Sequence, residues 1–111
     1  MSKTAQKTYE CGFDAATIEA PKFFELLSLN GLQWTNRKTE NGAFVWGCKD
    51  GYIVTENCPL TGSHRRISAI TKNYAGSVGV TGTKAFRDRV AKFLKRNAKS
   101  HGYAPSTRLF V

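Results

Sequence analysis

The sequence lacks any long apolar run. No stretch approaches the roughly 20 apolar residues that a membrane-spanning helix needs, which excludes a protein that crosses a membrane by helices. The first ten residues contain no apolar core of a signal peptide, so we expect a cytoplasmic protein. At 111 residues, of which 41% are hydrophobic, the chain is long enough for one domain with its own core. We therefore expect a flexible N-terminus over residues 1–6 and a single domain over residues 7–111.

Paired metal ligands and catalytic groupings are also missing. The three cysteines, Cys11, Cys48 and Cys58, form no C-x2-C pair, and their odd number indicates reduced thiols rather than a disulfide framework. A zinc site built from cysteines together with His64 and His101 is the alternative, which the spacing disfavours. No carboxylate pair and no Ser/His/Asp arrangement points to catalysis. We therefore expect no cofactor, no metal and a non-enzymatic function.

Acidic residues are scarce in the second half of the chain. Residues 1–60 hold six basic and seven acidic residues, for a net charge of −1, whereas residues 61–111 hold eleven basic residues and one acid, Asp88, for a net charge of +10. The whole chain carries +9. A charge asymmetry of this kind favours an anionic partner, which we expect to be DNA or RNA or, alternatively, an acidic protein.

The hydrophobic periodicity predicts an α+β fold. We expect a two-layer sandwich in which an antiparallel sheet, with a central three-stranded meander, carries two helices packed on one face. The predicted helices cover residues 17–30 and 84–99. The predicted strands cover residues 9–13, 32–39, 43–48, 52–57, 65–72 and 77–80, and residues 107–111 are a candidate last strand.

Local signals support several of these boundaries. The Asn-Gly pair at residues 41–42 is typical of a tight hairpin. Pro21 suits the first turn of a helix, and Gly31 supplies the left-handed residue that ends it. Thr83 or Thr81 is expected to cap the second helix. Residues 74–76 are expected to interrupt the sheet before a short strand.

The second predicted helix combines one apolar stripe with an otherwise basic surface. The stripe consists of Phe86, Val90, Phe93, Leu94 and Ala98. Surface helices usually alternate acidic and basic residues, which this helix does not do, so we weigh a phosphate-binding surface against a merely solubilising one. Docking onto a membrane surface is disfavoured because the stripe is needed to cover the sheet. The candidate phosphate contacts are Lys84, Arg87, Arg89, Lys92, Lys95, Arg96 and Lys99, together with Arg65 and Arg66 from the predicted strand over residues 65–72.

Aromatic residues on the meander give a second candidate surface. Trp34, Phe44, Trp46 and Tyr52 fall on neighbouring predicted strands. Exposed aromatic rings beside cations stack single-stranded bases, although aromatic residues in strands are usually core. Trp34 and Trp46 are the aromatic residues that we expect to be exposed if any are.

Residues 79–84, from Gly79 to Lys84, give a third candidate. Glycines, hydroxyl groups and a lysine before a helix are suited to an anion because free N–H groups point there. The segment matches neither the P-loop nor the dinucleotide-binding pattern. A regulatory module that binds a phosphorylated small molecule at this predicted loop is therefore the alternative function, and a plain turn with a capped helix is the simpler interpretation.

Overall fold

The computed structural model describes residues 8–60 and 70–99, together with the backbone of residues 102–104. The elements, in chain order, are β1 (Tyr9–Ile18), α1 (Ala20–Asn30), β2 (Gln33–Lys38), β3 (Phe44–Cys48), β4 (Gly51–Thr55), β5 (Tyr74–Gly82), α2 (Lys84–Asn97), β6 (Ala98–Lys99) and β7 (Gly102–Ala104). The strands form one antiparallel sheet in the order β2-β3-β4-β5-β1-β6, and β7 pairs with β1. The predicted α+β architecture, with its meander β2–β3–β4, is confirmed.

The core lies between the sheet and the two helices. Residues that pair across antiparallel strands share a face, and one row of such pairs crosses four strands through Trp46, Ile53, Val80 and Cys11. All four side chains are at most 1% exposed. From α1, the Phe23 ring contacts the Trp46 ring edge-on, with 5.8 Å between ring centroids. The helices therefore cover the face of the sheet to which this row belongs, and the opposite face carries no helix among the described residues.

β1 is longer than the sequence predicts, and α1 is correspondingly shorter. Residues 14–18 continue the strand instead of opening the helix, after a bulge between Phe13 and Ala16 at which Ala15 adopts a φ of +49°. The Ala15 N–H donates to Ser77 Oγ at 3.2 Å, which holds the bulge to β5. The expected helix start at residue 17 is wrong because pairing with β5 outweighs the local helical pattern. Pro21 does lie in the first turn, as predicted.

β5 is one continuous strand of nine residues, so the predicted break at residues 74–76 is wrong. Tyr74 is 1% exposed and pairs with Ile18, and its hydroxyl donates to the Ser77 carbonyl oxygen at 2.8 Å. Burial raises the pKa of the Tyr74 phenol because the phenolate would lose its hydration. At Gly76, where φ is +144°, a Cβ would lie 2.6 Å from Asn57 Nδ2. The small residues here allow close approach of neighbours rather than a turn.

α2 begins as predicted and ends earlier than predicted. Thr83 is the N-cap, and its Oγ1 accepts from the Phe86 N–H at 3.1 Å, as expected for a capping threonine. The helix stops at Asn97 instead of Lys99, and Ala98 and Lys99 pair with Ile18 and Thr17 of β1. The Gly31 cap of α1 is confirmed, with a φ of +66°.

Several predicted segments lie outside the described residues. These are the N-terminal residues 1–6, the candidate strand over residues 107–111 and most of the predicted strand over residues 65–72. Of the predicted strand over residues 65–72, only residues 70–72 are described, and there Ile70 makes a single bridge to Leu60.

Candidate nucleic-acid interface

A pair of glycines sets the position of α2 on the sheet. Gly51 and Gly82 face each other on β4 and β5. A Cβ on either glycine would lie 2.8 Å from Cδ2 of Phe86, which is closer than real side chains approach. Phe86 is fully buried against this spot, so the first turn of α2 lies directly on the backbone of the sheet. The Thr83 N–H also donates to the Asp50 carbonyl oxygen at 3.0 Å, which joins the start of the helix to the β3–β4 turn.

The predicted division of α2 into an apolar and a basic side is present in the fold. Phe86, Val90 and Leu94 are fully buried, and Ala91 is 5% exposed. Phe93 and Ala98 are only partly buried against the core. The apolar stripe thus faces the sheet, and Lys92, Lys95 and Arg96 lie on the exposed side of the helix.

Arg87 is committed to contacts within the protein. Its side chain is 17% exposed, and its Nη1 donates to the Glu10 carbonyl oxygen of β1 at 3.0 Å. Its Nε donates to Asp88 Oδ1 at 2.7 Å, and its guanidinium lies 5.5 Å from the centre of the Tyr9 ring. A polyanion would have to compete with these contacts, so we regard Arg87 as a residue that fixes α2 to β1.

Arg89 joins the two helices. Its Nε donates to Asn30 Oδ1 at 2.6 Å, and Asn30 Nδ2 donates in turn to the Leu26 carbonyl oxygen at 2.8 Å. The guanidinium also lies 5.8 Å from the centre of the Phe86 ring. Asn30 is only 9% exposed, so its amide oxygen depends on Arg89 for a partner. The position of Arg89 is therefore determined by α1.

Lys84 is paired with the single acid of the helix. Its Nζ lies 2.7 Å from Asp88 Oδ2, on a surface where both side chains are about half exposed. Hydrogen bonds from Lys84 and Arg87 hold the pKa of the Asp88 carboxyl below its usual range. In the N-terminal part of α2, Asp88 thus offsets one positive charge, and the Lys84 and Arg87 side chains are both engaged with its carboxylate.

The remaining candidate cations of α2 and β6 are exposed. We call Lys92, Lys95, Arg96 and Lys99 the outer basic group. Among the described residues, the side chains of Lys92, Arg96 and Lys99 make no hydrogen bond and no ion pair. With Asp88 and Ala91, the first three members of the group border a shallow hollow of about 400 Å³. The exposed side chains of Lys92, Arg96 and Lys99 are therefore the part of the predicted surface that is available to an anion.

Trp46, which the sequence makes a candidate for base stacking only if it is exposed, cannot stack on bases. Its side chain is fully buried, and its Nε1 donates to Thr55 Oγ1 at 2.9 Å inside the core. Trp34 pairs with Trp46 and is half-buried, with its ring 5.1 Å from the Trp46 ring and 5.6 Å from the Phe44 ring. Both tryptophans thus belong to the face that the helices cover. The remaining predicted contacts, Arg65 and Arg66, lie outside the described residues.

The meander presents a different aromatic residue to solvent. Tyr52 is 41% exposed and lies on the face opposite the helices, because its neighbour Ile53 faces the core. Sequence reasoning missed this distinction. The alternation of Tyr52 and Ile53 contained the signal, since the hairpin register pairs Ile53 with Trp46 and Tyr52 with Gly47.

The same face of the sheet carries a groove of about 840 Å³, which we call the open-face groove. Its lining comes from β1 to β5 and from the turn after β2. The residues that line it are Glu10, Cys11, Thr35, Arg37, Lys38, Thr39, Glu40, Val45, Gly47, Cys48, Gly51, Tyr52, Val54, Gly79, Val80 and Thr81. Arg37 is exposed, whereas Val54 is 7% exposed.

The predicted phosphate-binding loop at residues 79–84 is not a loop. Residues 79–82 belong to β5, where Gly79 pairs with both Gly12 and Val54 and Thr81 pairs with both Glu10 and Tyr52. Their backbone groups serve the sheet and do not form a cradle. The start of α2 is in addition capped by Thr83, which satisfies one of the N–H groups that an anion would use.

The described residues contain neither a cluster of metal ligands nor a membrane-spanning helix. No group of three or more His, Cys, Asp or Glu side chains is placed to hold a metal ion there. No helix in the same residues is both long enough and apolar enough to cross a membrane. Cys11 is buried, and Cys48 and Cys58 are half-buried.

No protein-family model, no curated protein and no solved structure matches this chain.

Proposed function

We propose that this protein is a small, non-enzymatic nucleic-acid-binding protein that contacts the phosphates of DNA or RNA through the outer basic group. The observation that carries the proposal is that Lys92, Arg96 and Lys99 are exposed and have no partner among the described residues. When basic side chains neutralise phosphates, the counterions condensed on the nucleic acid are released. This release supplies essentially all of the affinity in non-specific binding.

The helix geometry supports contacts with neighbouring phosphates. Lys92 and Arg96 are four residues apart, so they project from nearly the same side of α2, about 6 Å apart along its axis. Like charges at this spacing destabilise a helix by a few tenths of a kcal/mol, a cost that an anionic partner removes. Phosphates follow each other every 3.4 Å along the axis of one DNA strand, so the pair spans about two of them.

The burial of Trp46 shapes the proposal. Trp34 and Trp46 lie on the face of the sheet that the helices cover. The outer surface of α2 therefore offers cations but no tryptophan on which a base could stack. Contacts to phosphate position a protein on nucleic acid but carry no sequence information. We therefore expect binding with little sequence preference. The proposal places the protein in the cytoplasm, a reducing compartment in which its cysteines remain thiols.

The test measures duplex DNA binding by fluorescence anisotropy at about 50 mM and about 200 mM salt. The triple variant Lys92→Gln, Arg96→Gln, Lys99→Gln removes three charges from the outer basic group. We expect it to weaken binding and to lower the slope of log K against log salt by about 2 to 3. Parallel measurements with single-stranded DNA and with RNA establish which nucleic acid is preferred.

A matched control removes the same charge elsewhere. The triple variant Lys22→Gln, Lys49→Gln, Lys72→Gln changes three exposed lysines that belong to neither α2 nor β6. We expect it to retain most of the affinity. Equal losses in the two triple variants would mean that net charge alone attracts DNA, and no binding at about 50 mM salt would refute the proposal. Tighter binding of polyglutamate than of any nucleic acid would instead identify an acidic protein as the partner.

A further inference from the structure

The open-face groove combines an apolar floor with polar groups at its two ends. Val45 and Val54 pair with each other on the face away from the helices, and Tyr52 follows in the next row. Gly79, beside Val54 on β5, has no side chain to fill the space above the floor. Its volume, about 840 Å³, is within the range of about 300–1,000 Å³ that is usual for small-molecule sites.

Tyr52 supplies a surface for an aromatic ring. Its side chain is 41% exposed although it lies within a strand, so part of the ring is open to the groove. Thr35 forms part of the lining on the side of β2: its hydroxyl donates to the Val45 carbonyl oxygen at 2.7 Å, and its methyl group fills the space next to Gly47. Because Gly79 has no side chain, an aromatic ring can lie over the floor, next to the ring of Tyr52.

Arg37 supplies a cation at the β2 side of the groove. It pairs with Val45, so its side chain projects from the same face as the floor. The side chain is exposed and makes no hydrogen bond or ion pair among the described residues. In a regular sheet, two strand spacings and one two-residue step separate the Cα atoms of Tyr52 and Arg37 by about 12 Å. That separation suits a ligand with an aromatic ring at one end and an anionic group at the other.

Carboxylates stand at the edges of this groove. Glu10 lies beyond Thr81 in the row of Tyr52, and Glu40 lies in the turn after β2. A carboxylate near the aromatic end accepts hydrogen bonds from amino groups and repels a second anion. Glu10 therefore disfavours an anionic group near Tyr52 and favours a ring that carries an amino group there. At the β2 side, Arg37 attracts the anionic group and Glu40 opposes it.

We propose that the open-face groove binds a mononucleotide whose base carries an amino group, with the base stacked on Tyr52 and the phosphate held by Arg37. Bases stack on aromatic side chains whatever their sequence, and the planar guanidinium fork matches a phosphate. This inference goes beyond the proposed function and does not rest on it, because the groove lies on the opposite face from the helices and uses no residue of α2.

The experiment titrates the labelled protein with AMP and follows its backbone amide signals by NMR. We expect saturable shifts at Gly47, Gly79 and Thr81. Tyr52→Ala should weaken AMP binding by about fivefold or more, because the stacking surface is lost, and the matched variant Tyr52→Phe should retain it within about twofold. Arg37→Gln should weaken AMP binding by about tenfold and leave adenosine binding unchanged.

Titrations with other nucleotides identify the class of ligand that the groove prefers. UMP, which lacks the amino group, should bind more weakly than AMP. No saturable shift up to about 10 mM AMP would overturn the proposal, as would shifts confined to α2 or an affinity unchanged in Tyr52→Ala. A short single-stranded oligonucleotide that binds the groove more tightly than AMP, with the same dependence on Tyr52, would overturn the mononucleotide assignment in favour of a strand.

A cross-test separates this proposal from the proposed function. The triple variant of Lys92, Arg96 and Lys99 should retain the AMP affinity of the wild type while it loses duplex affinity. Tyr52→Ala should do the opposite. Either proposal can therefore fail without affecting the other.

Discussion

The two ends of α2 carry the same kind of side chain in different roles. Near its start, Arg87 and Arg89 donate to Glu10 of β1 and Asn30 of α1, which lie 77 and 59 residues earlier in the chain. Near its end, Lys92 and Arg96 face solvent without a partner among the described residues. A basic residue of α2 therefore stabilises the fold where a backbone or amide oxygen of another element lies within hydrogen-bond distance. Where no such oxygen is near, the residue remains available for binding.

The largest expected effect concerns how the start of α2 is attached. Phe86→Ala removes a fully buried ring that packs over the paired Gly51 and Gly82, and we expect the free energy of unfolding to fall by about 3–5 kcal/mol. Urea unfolding followed by tryptophan fluorescence measures the change. Phe93→Ala, at a partly buried position of the same helix, is the control and should cost less. Equal costs would show that the two ends of α2 are attached with similar strength.

The next effect separates the two roles by stability. Arg89→Gln leaves the Asn30 amide oxygen without its charged donor, and we expect the free energy of unfolding to fall by about 1–2 kcal/mol. Arg96→Gln should change it by less than about 0.5 kcal/mol, since the side chain is exposed. Thermal unfolding of the two variants side by side tests this. A larger loss for Arg96→Gln than for Arg89→Gln would reverse the comparison.

A third prediction separates the same two residues by binding. Arg96→Gln should lower the salt slope of duplex binding by about 1, the amount expected for one lost phosphate contact. Arg89→Gln should leave that slope unchanged, because its guanidinium is engaged with Asn30. Anisotropy titrations over a series of salt concentrations give both slopes. Equal slopes in the two variants would contradict the assignment of separate roles.

The smallest effect is the pH dependence that Asp88 contributes. Its pKa is lowered in the folded state, so its contribution to stability is present above the pKa of about 4 of the unfolded chain and is lost as the pH falls through the lower folded value. Asp88→Asn should abolish this part of the acid-induced loss. Stability curves of the two proteins between about pH 5 and pH 2 provide the measurement, and identical curves would show that Lys84 and Arg87 do not favour the charged form.

The local features of the fold follow from the sequence because their causes are local. Thr83 caps α2 with its own hydroxyl, Gly31 ends α1 in the left-handed conformation, and the apolar spacing in α2 orients Phe86, Val90 and Leu94 towards the sheet. The continuous strand through residues 74–76 cannot be predicted from local sequence, because Tyr74, Ala75 and Gly76 have the composition of a turn. They form a strand because they pair with β1.

The candidate site is predictable only in part, for the same reason. A count of charges identifies α2 as basic, but the partners of Arg87 and Arg89 come from other elements and are invisible in the helix sequence. The tryptophans raise a related difficulty: one residue of register decides whether Trp46 or its neighbour faces the core, and that register depends on hairpin pairing across β2, β3 and β4.

The short strand β6 has a mechanical consequence for α2. The helix leaves β5 through a single residue, Thr83, and returns to the sheet at once where Ala98 pairs with Ile18. Because both ends of α2 are joined to the same sheet, the helix can neither swing nor rotate about its own axis. The side of the helix from which Lys92 and Arg96 project is therefore fixed before any partner arrives, so little orientational freedom of the helix remains to be lost when they bind.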